Sequence, residues 1–103
     1  MSRTVAKAVT ILAADAADVA AANAAWVSIE GCDEVEVITA FTGTANAHLG
    51  RDYVNGNTEQ ATIDINSNNV QTITDPMGKI RAYCNNVSAG EAITMQIRKV
   101  FYN

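Results

Sequence analysis

Alternation of apolar and polar side chains, with a period of two residues, most restricts the fold of this chain. Ile93, Met95 and Ile97 alternate with polar residues, and the segment Lys79–Asn85 alternates in the same way. Successive side chains of a β-strand point to opposite faces of a sheet, so this pattern is typical of strands buried on one face. Residues 86–90, between the two segments, contain Asn and Gly, which suit a turn. The sequence therefore predicts a C-terminal β-hairpin.

Other segments extend the β pattern through most of the chain. Alternation or high β-propensity occurs in residues 34–41, 61–65 and 70–74. The single proline lies in the turn-like sequence Asp75-Pro76-Met77-Gly78, and residues 53–60 have the composition of an exposed loop. About seven to eight short strands separated by turns are typical of a sandwich. We therefore predict a mainly β fold for residues 1–103, a single antiparallel β-sandwich or jelly roll.

An alanine-rich segment, residues 13–25, leaves two structures open. Alanine is the best helix former, so one interpretation is a short helix. Large apolar residues at helical spacing are missing, however, and only Val19 could anchor a helix to the core. We favour an extended connector that leads into a strand at residues 26–30. On this interpretation, residues 1–25 form a strand and a connector, and residues 26–103 form the sandwich core.

The charge of the chain limits its partners. The net charge is −4, and only two of the seven basic residues, Arg98 and Lys99, are adjacent. Nucleic acid is therefore not expected as a partner, because binding it needs a basic patch. No segment has the length of a membrane span or of a signal-peptide core, so we expect no membrane partner and synthesis in a host cytoplasm. Cys32 and Cys84 should then be reduced thiols, and a disulfide between them stays open only for a protein that works outside the cell.

No pattern of residues indicates catalysis. His48 is the only histidine and no nucleophile motif accompanies it, so we expect a histidine with satisfied hydrogen bonds. The acidic residues Glu30, Asp33, Glu34 and Glu36 could provide paired carboxylates for glycoside hydrolysis. Glu34 and Glu36 would share one strand face, which we expect to be solvated. We therefore predict no catalytic residues and no enzymatic activity.

A calcium site is also not expected. Residues 64–69 resemble the start of a calcium-binding loop. Asn69, however, occupies the sixth position, where such a loop needs Gly, and Asp75 occupies the twelfth, where it needs Glu. A turn in which Asn and Asp side chains bond their own backbone explains the segment better. The sequence thus predicts neither a metal ion nor any other cofactor.

Four residues are candidates for contacts with other chains. Aromatic side chains are few, and any that are exposed would be good anchors for an interface. Trp26 is one candidate. Val100, Phe101 and Tyr102 are the others, because three apolar residues in a row break the alternation of the last strand. Such a run is expected where both faces of a strand are covered, or where a second subunit covers one of them.

The order of strands and turns resembles the small β-sandwich virion proteins of tailed bacteriophages, in particular their capsid decoration proteins. A strand pair of the form V-x-I/V-x-G-x-x-x-V-x-V is matched by residues 27–37. An I/V-R-A/V-x strand is matched by Ile80-Arg81-Ala82-Tyr83, and an S/A-G turn with a final alternating strand by residues 88–95. The usual hairpin F-E-G-S-x-D-G-x-x-W is represented only by residues 48–52, and the family has no diagnostic motif.

The resemblance implies a jelly-roll-like cement protein in the virion. Such a protein is expected to form homotrimers and to stabilise the shell through contacts with the major capsid protein or another virion protein. Two other functions stay open. A tail or fibre module could bind host-surface carbohydrate or a receptor through residues 53–60 and 66–69, which are rich in Asn and Thr. A small hydrolase that uses the acidic residues is the least favoured.

Overall fold

The computed structural model describes residues 2–103, which form two antiparallel β-sheets packed face to face. Its strands are β1 (Arg3–Val5), β2 (Val9–Asp15), β3 (Val27–Ser28), β4 (Glu34–Thr42), β5 (Asn46–Asp52), β6 (Ala61–Ile65), β7 (Asn69–Ile73), β8 (Lys79–Asn85) and β9 (Ala92–Tyr102). A single 3-10 turn, Ala21–Asn23, is the only helical element in this part of the chain. The predicted mainly β fold is confirmed.

The pairing of the strands is that of a jelly roll. One sheet, which we call the β9 sheet, has the order β2-β9-β4-β7, with β1 beside the last residues of β9. The other, the β5 sheet, has the order β3-β8-β5-β6. β2 therefore pairs with β9, β3 with β8, β4 with β7 and β5 with β6. In a jelly roll, the first main strand pairs with the last, the second with the last but one, and so on toward the middle of the chain.

The core lies between the two sheets and is built by alternate residues of each strand. Val35 and Val37 of β4 face Leu49 of β5 and Ile80 of β8 across it, and all four are fully buried. Their neighbours in sequence lie on the outer faces of the two sheets, as the alternation requires. The inward side chains are mainly Ala, Val, Ile and Leu, so the two sheets lie close together, and the shortest dimension of the molecule is 17 Å.

The predicted C-terminal hairpin is wrong, although both of its strands exist. β8 belongs to the β5 sheet and β9 to the β9 sheet, so residues 86–91 cross from one sheet to the other. The alternating pattern indicates which residues of a strand face the core, and this holds whether the next strand lies beside it or opposite it. Val87 is buried within the crossing, and its N–H donates to Asp18 Oδ1 at 2.9 Å, which ties the connection to the alanine-rich segment.

The alanine-rich segment has no α-helix. Its first three residues complete β2, and the remainder is irregular apart from the 3-10 turn. Val19 forms an isolated antiparallel bridge with Cys84 of β8, so this residue anchors an extended connector, as the favoured interpretation expected. The strand that follows is shorter than predicted. β3 contains only Val27 and Ser28 of residues 26–30, although Ile29 also faces the core and its N–H donates to the carbonyl of Gly78, and the chain then bends at residues 31–33.

Candidate contact surfaces

The four predicted contact residues lie on two different sheets. Trp26 precedes β3 and lies on the outer side of the β5 sheet, where its ring is half-buried. Val100, Phe101 and Tyr102 end β9 in the other sheet. The fold therefore does not bring them together into one surface.

At the end of β9, the run of apolar residues 100–102 begins where a residue on the outer face of the sheet becomes buried. Val37 is paired with Ile97 and Val35 with Lys99 on the inward side, so Val100 must point outward. Val100 is nevertheless fully buried, between Glu34 of β4 and Val5 of β1 in the pairing. It offers no surface to another chain. Phe101 is half-buried and Tyr102 is exposed.

Charged side chains cover this part of the outer face. Glu36 forms ion pairs with Arg3 Nη2 at 3.1 Å and with Arg98 Nη2 at 2.9 Å. The Tyr102 hydroxyl donates to Glu34 Oε1 at 2.6 Å, and this hydrogen bond is the largest cause that raises the pKa of Tyr102. Glu34 and Glu36 share an outward strand face, as predicted, but the face is not freely solvated, because both residues are half-buried beneath their partners. They are engaged by partners there and are not free carboxylates.

Aromatic and basic side chains form a row across the outer face of the β5 sheet. The guanidinium of Arg81 lies over the ring of Trp26, at 4.5 Å from its centroid, and 5.6 Å from the centroid of Tyr83. The rings of Tyr83 and His48 pack with centroids 5.1 Å apart. The row follows from the register, since His48 is the cross-strand neighbour of Tyr83.

Glu59 holds the centre of this row. Its carboxylate accepts hydrogen bonds from Arg81 Nε at 3.1 Å, from the Tyr83 hydroxyl at 2.8 Å and from the Thr62 hydroxyl. Gly50 lies directly below, and a methyl group at that position would be 2.0 Å from Glu59 Oε1. Burial opposes ionisation of Glu59, but the three hydrogen bonds outweigh it and lower the pKa of the carboxyl group. The absence of a side chain at Gly50 thus makes room for a fixed carboxylate on the sheet.

A polar recess of about 350 Å³ lies beside His48, and we call it the His48 recess. It is lined by Asn46, His48, Asp64, Ile65, Asn66 and Asn85. His48 Nδ1 lies 2.7 Å from Asp64 Oδ1 and Nε2 lies 2.9 Å from Asn85 Oδ1, so the imidazole is held by hydrogen bonds at both nitrogens. Partial burial lowers the pKa of His48, but these two hydrogen bonds and the Asp64 charge outweigh it and raise the pKa overall.

A second surface lies where β5 ends, and it includes the first two residues of the loop 53–60, which the sequence offered for carbohydrate or receptor binding. Tyr53, Val54 and Met77 are 41%, 70% and 43% exposed, and we call them together the loop-end surface. Beneath them, Arg51 is only 6% exposed. Its guanidinium lies 4.6 Å from the centroid of the Tyr53 ring, and Nη2 makes a long contact of 3.5 Å with the carbonyl of Met77. Within residues 2–103, no carboxylate forms an ion pair with Arg51.

The loop that carries this surface is held by Asp52. This residue is fully buried, and its carboxylate accepts hydrogen bonds from the N–H groups of Val54 at 3.0 Å and Asn57 at 2.7 Å. Burial opposes ionisation, but the backbone donors outweigh it and lower the pKa of Asp52. Gly78, at φ +78°, packs its backbone against the carbonyl of Asp52. The apolar side chains are therefore presented on a fixed backbone.

The cysteines are separate free thiols. Cys84 faces the core, whereas Cys32 is half-buried and its Sγ lies 3.3 Å from the carbonyl oxygen of Ile29. Burial raises the pKa of both thiols, which keeps them protonated and poorly nucleophilic. Cys84 also lies on the opposite face of the sheet from His48, so the two do not form a catalytic pair.

The calcium-like segment is used as a turn. Asn68 Oδ1 accepts a hydrogen bond from the Phe41 N–H at 2.8 Å, and Asp64 is bound to His48. Among residues 2–103, there is no group of three or more His, Cys, Asp or Glu side chains arranged to hold a metal ion. The same part of the chain contains no helix long and apolar enough to cross a membrane.

No protein-family model matches the chain, and comparisons with curated proteins and with solved structures gave no match either.

Proposed function

We propose that this protein is a structural component of a bacteriophage virion, a capsid decoration protein that binds capsid subunits and copies of itself, as a homotrimer. The loop-end surface is the observation that carries the proposal. Exposed apolar side chains that are grouped on the surface of a small domain mark sites of protein interaction. Arg51 connects this group, because it contacts both the Tyr53 ring and the Met77 carbonyl. Tyr53 and Met77, with Arg51 beneath them, also have the composition enriched in the buried centres of interfaces.

The rigidity of the loop-end surface favours binding. Asp52 and Gly78 fix the backbone before any partner arrives, so little conformational entropy would be lost on association. A flexible loop of the same composition would lose about 0.5–1.5 kcal/mol for each side chain ordered at the interface. A fixed apolar loop therefore suits a protein whose activity is contact.

Arg51 favours a partner that offers a carboxylate. A buried guanidinium without a paired carboxylate retains an unfavourable desolvation energy. A carboxylate from a capsid subunit or from another copy would be attracted to the small part of Arg51 that stays exposed. The jelly-roll topology agrees with this role, because jelly rolls occur in viral capsid proteins, but they also occur in lectins and the fold alone does not decide.

The native mass of the purified protein tests the assembly. We expect light scattering to show a trimer for the unmodified chain. Val54→Asp and Met77→Asp should each weaken association at least about tenfold, because they place a carboxylate in the centre of an apolar contact. Val70→Asp is the matched control for Val54→Asp, since Val70 is similarly exposed, at 64% against 70%, but lies on the edge strand β7 away from the loop end.

Particles of the phage that encodes the chain test the virion role. They should contain copies on the order of hundreds, as repeated decoration of a symmetric shell requires. A stable monomer that is absent from purified particles would contradict the proposal. Unchanged association of both Asp variants would show that the loop-end surface is not the contact.

A further inference from the structure

We propose that the His48 recess binds a neutral, hydroxyl-rich ligand, a carbohydrate. The recess has a volume of about 350 Å³, near the lower end of the range of roughly 300–1,000 Å³ typical of small-molecule sites. It thus has room for about one sugar ring and the substituents of a neighbour. It is a site of different chemistry from the loop-end surface, and the inference does not depend on the virion role.

The polar groups of the recess have unused hydrogen-bonding capacity of both kinds. Asp64 uses Oδ1 for His48, and its other carboxylate oxygen makes no hydrogen bond to residues 2–103. Asn85 likewise uses Oδ1 and leaves its amide N–H groups free among these residues. Asn46 and Asn66 add two further side-chain amides on the wall. Amides with both donors and acceptors, beside a carboxylate, match sugar hydroxyls, which donate and accept at the same oxygen.

The arrangement of these groups is fixed before binding. His48 is held at both nitrogens, and its ring packs against Tyr83. Tyr83 in turn is held by Glu59, which Gly50 accommodates. The His48 ring is the one aromatic group in the lining, and its packing against Tyr83 holds it in place. A ligand would therefore meet polar groups that are already held in position.

The charge around the recess favours a neutral ligand over an anionic one. Arg81, the arginine of the row, forms an ion pair with Glu59, and a protonated His48 is paired with Asp64, so both have little attraction left for an anion. The Asp64 side chain, in contrast, is 79% exposed and presents its charge to the opening. An acidic sugar would be repelled there. Neutral hexoses and N-acetylhexosamines are consequently the expected class.

A glycan array of neutral, sialylated and sulfated oligosaccharides, followed by calorimetric titration of the strongest neutral binder, tests the inference. We expect binding to neutral glycans, weakened at least about tenfold by Asn46→Ala and by Asp64→Ala. Gln96→Ala is the control, because it removes an exposed amide from the outer face of the other sheet. Both test residues lie at the surface, and unfolding curves should show that all three variants are folded.

Three outcomes would overturn the inference. They are no binding to any glycan at about 100 µM protein, binding that survives both Asn46→Ala and Asp64→Ala, and a preference for sialylated or sulfated glycans. None of these results would alter the native mass or the copy number in particles, so the proposed virion function would fail or stand separately.

Discussion

The close approach of Gly78 to β5 allows a sharp test of how the loop-end surface is held. A methyl group at Gly78 would lie 1.9 Å from the carbonyl oxygen of Asp52 and 3.1 Å from Cα of Tyr53. Gly78→Ala therefore has two costs. The left-handed conformation, at φ +78°, costs a non-glycine residue about 1–2 kcal/mol. Displacement of rigid backbone adds a cost similar to that of overpacking, about 1–3 kcal/mol.

Gly90→Ala separates the two costs. Gly90 has nearly the same φ, +82°, but a methyl group there would meet nothing within 4 Å. It should lose only about 1–2 kcal/mol, whereas Gly78→Ala should lose about 2–5 kcal/mol of a total stability near 5–15 kcal/mol. Urea denaturation followed by the fluorescence of Trp26, the single tryptophan, measures both variants. Equal destabilisation of the two variants, at equal m-values, would refute the argument that backbone contact at Asp52 fixes the loop.

Three further predictions concern the polar groups. Gly50→Ala should destabilise the protein by about 1–2 kcal/mol, because the added methyl group displaces Glu59. In a Glu59→Ala background the same substitution should be nearly neutral, and additive losses of stability in this double-mutant cycle would contradict the argument. Asp52→Asn should lose stability at neutral pH. Because the folded pKa of Asp52 is lowered, its carboxylate stabilises the fold above the unfolded pKa, about 3.9, and this stabilisation is lost as the pH falls through the folded pKa. The difference in the free energy of unfolding between wild type and Asp52→Asn should therefore disappear in acid. The raised pKa of His48 gives the opposite dependence of stability on pH. The stabilisation by His48 is complete below its unfolded pKa, about 6.5, and is lost as the pH rises through its folded pKa. The stability difference between wild type and His48→Gln should therefore be larger at about pH 5.5 than at about pH 8. A difference that grows with pH would disprove the imidazolium–Asp64 pair.

The positions of the strands could be predicted from the sequence because alternation is a local property. β8 has the predicted bounds, Lys79–Asn85, and β4 extends the predicted segment by one residue. The partners of the strands could not be predicted in this way. Residues 86–91 look like a turn between neighbours, but both flanking strands bury one face, and the same pattern arises when they pack face to face. The jelly roll places them in opposite sheets.

The candidate surfaces depend on residues far apart in the chain, so the sequence named some of these residues but not how the fold groups them. Arg51 belongs to the inward face of β5, beyond Ala47 and Leu49, but a lone arginine at a strand end is read as exposed. It is buried because the turn at Met77 and Gly78 covers it, 26 residues later. Trp26 was identified from its rarity, yet nothing local indicates that its partner is Arg81.

The two proposed sites lie at opposite ends of β5, and this separation makes both functions compatible in one small domain. Asn46 begins the strand at the His48 recess, and Asp52 ends it at the loop-end surface. Six residue steps of a strand span about 20 Å. A chain attached to a shell through Tyr53, Val54 and Met77 would therefore carry the recess on the far end of its outer face. Substitutions at one end should leave the other end active, so Val54→Asp should retain glycan binding while Asn46→Ala should retain assembly.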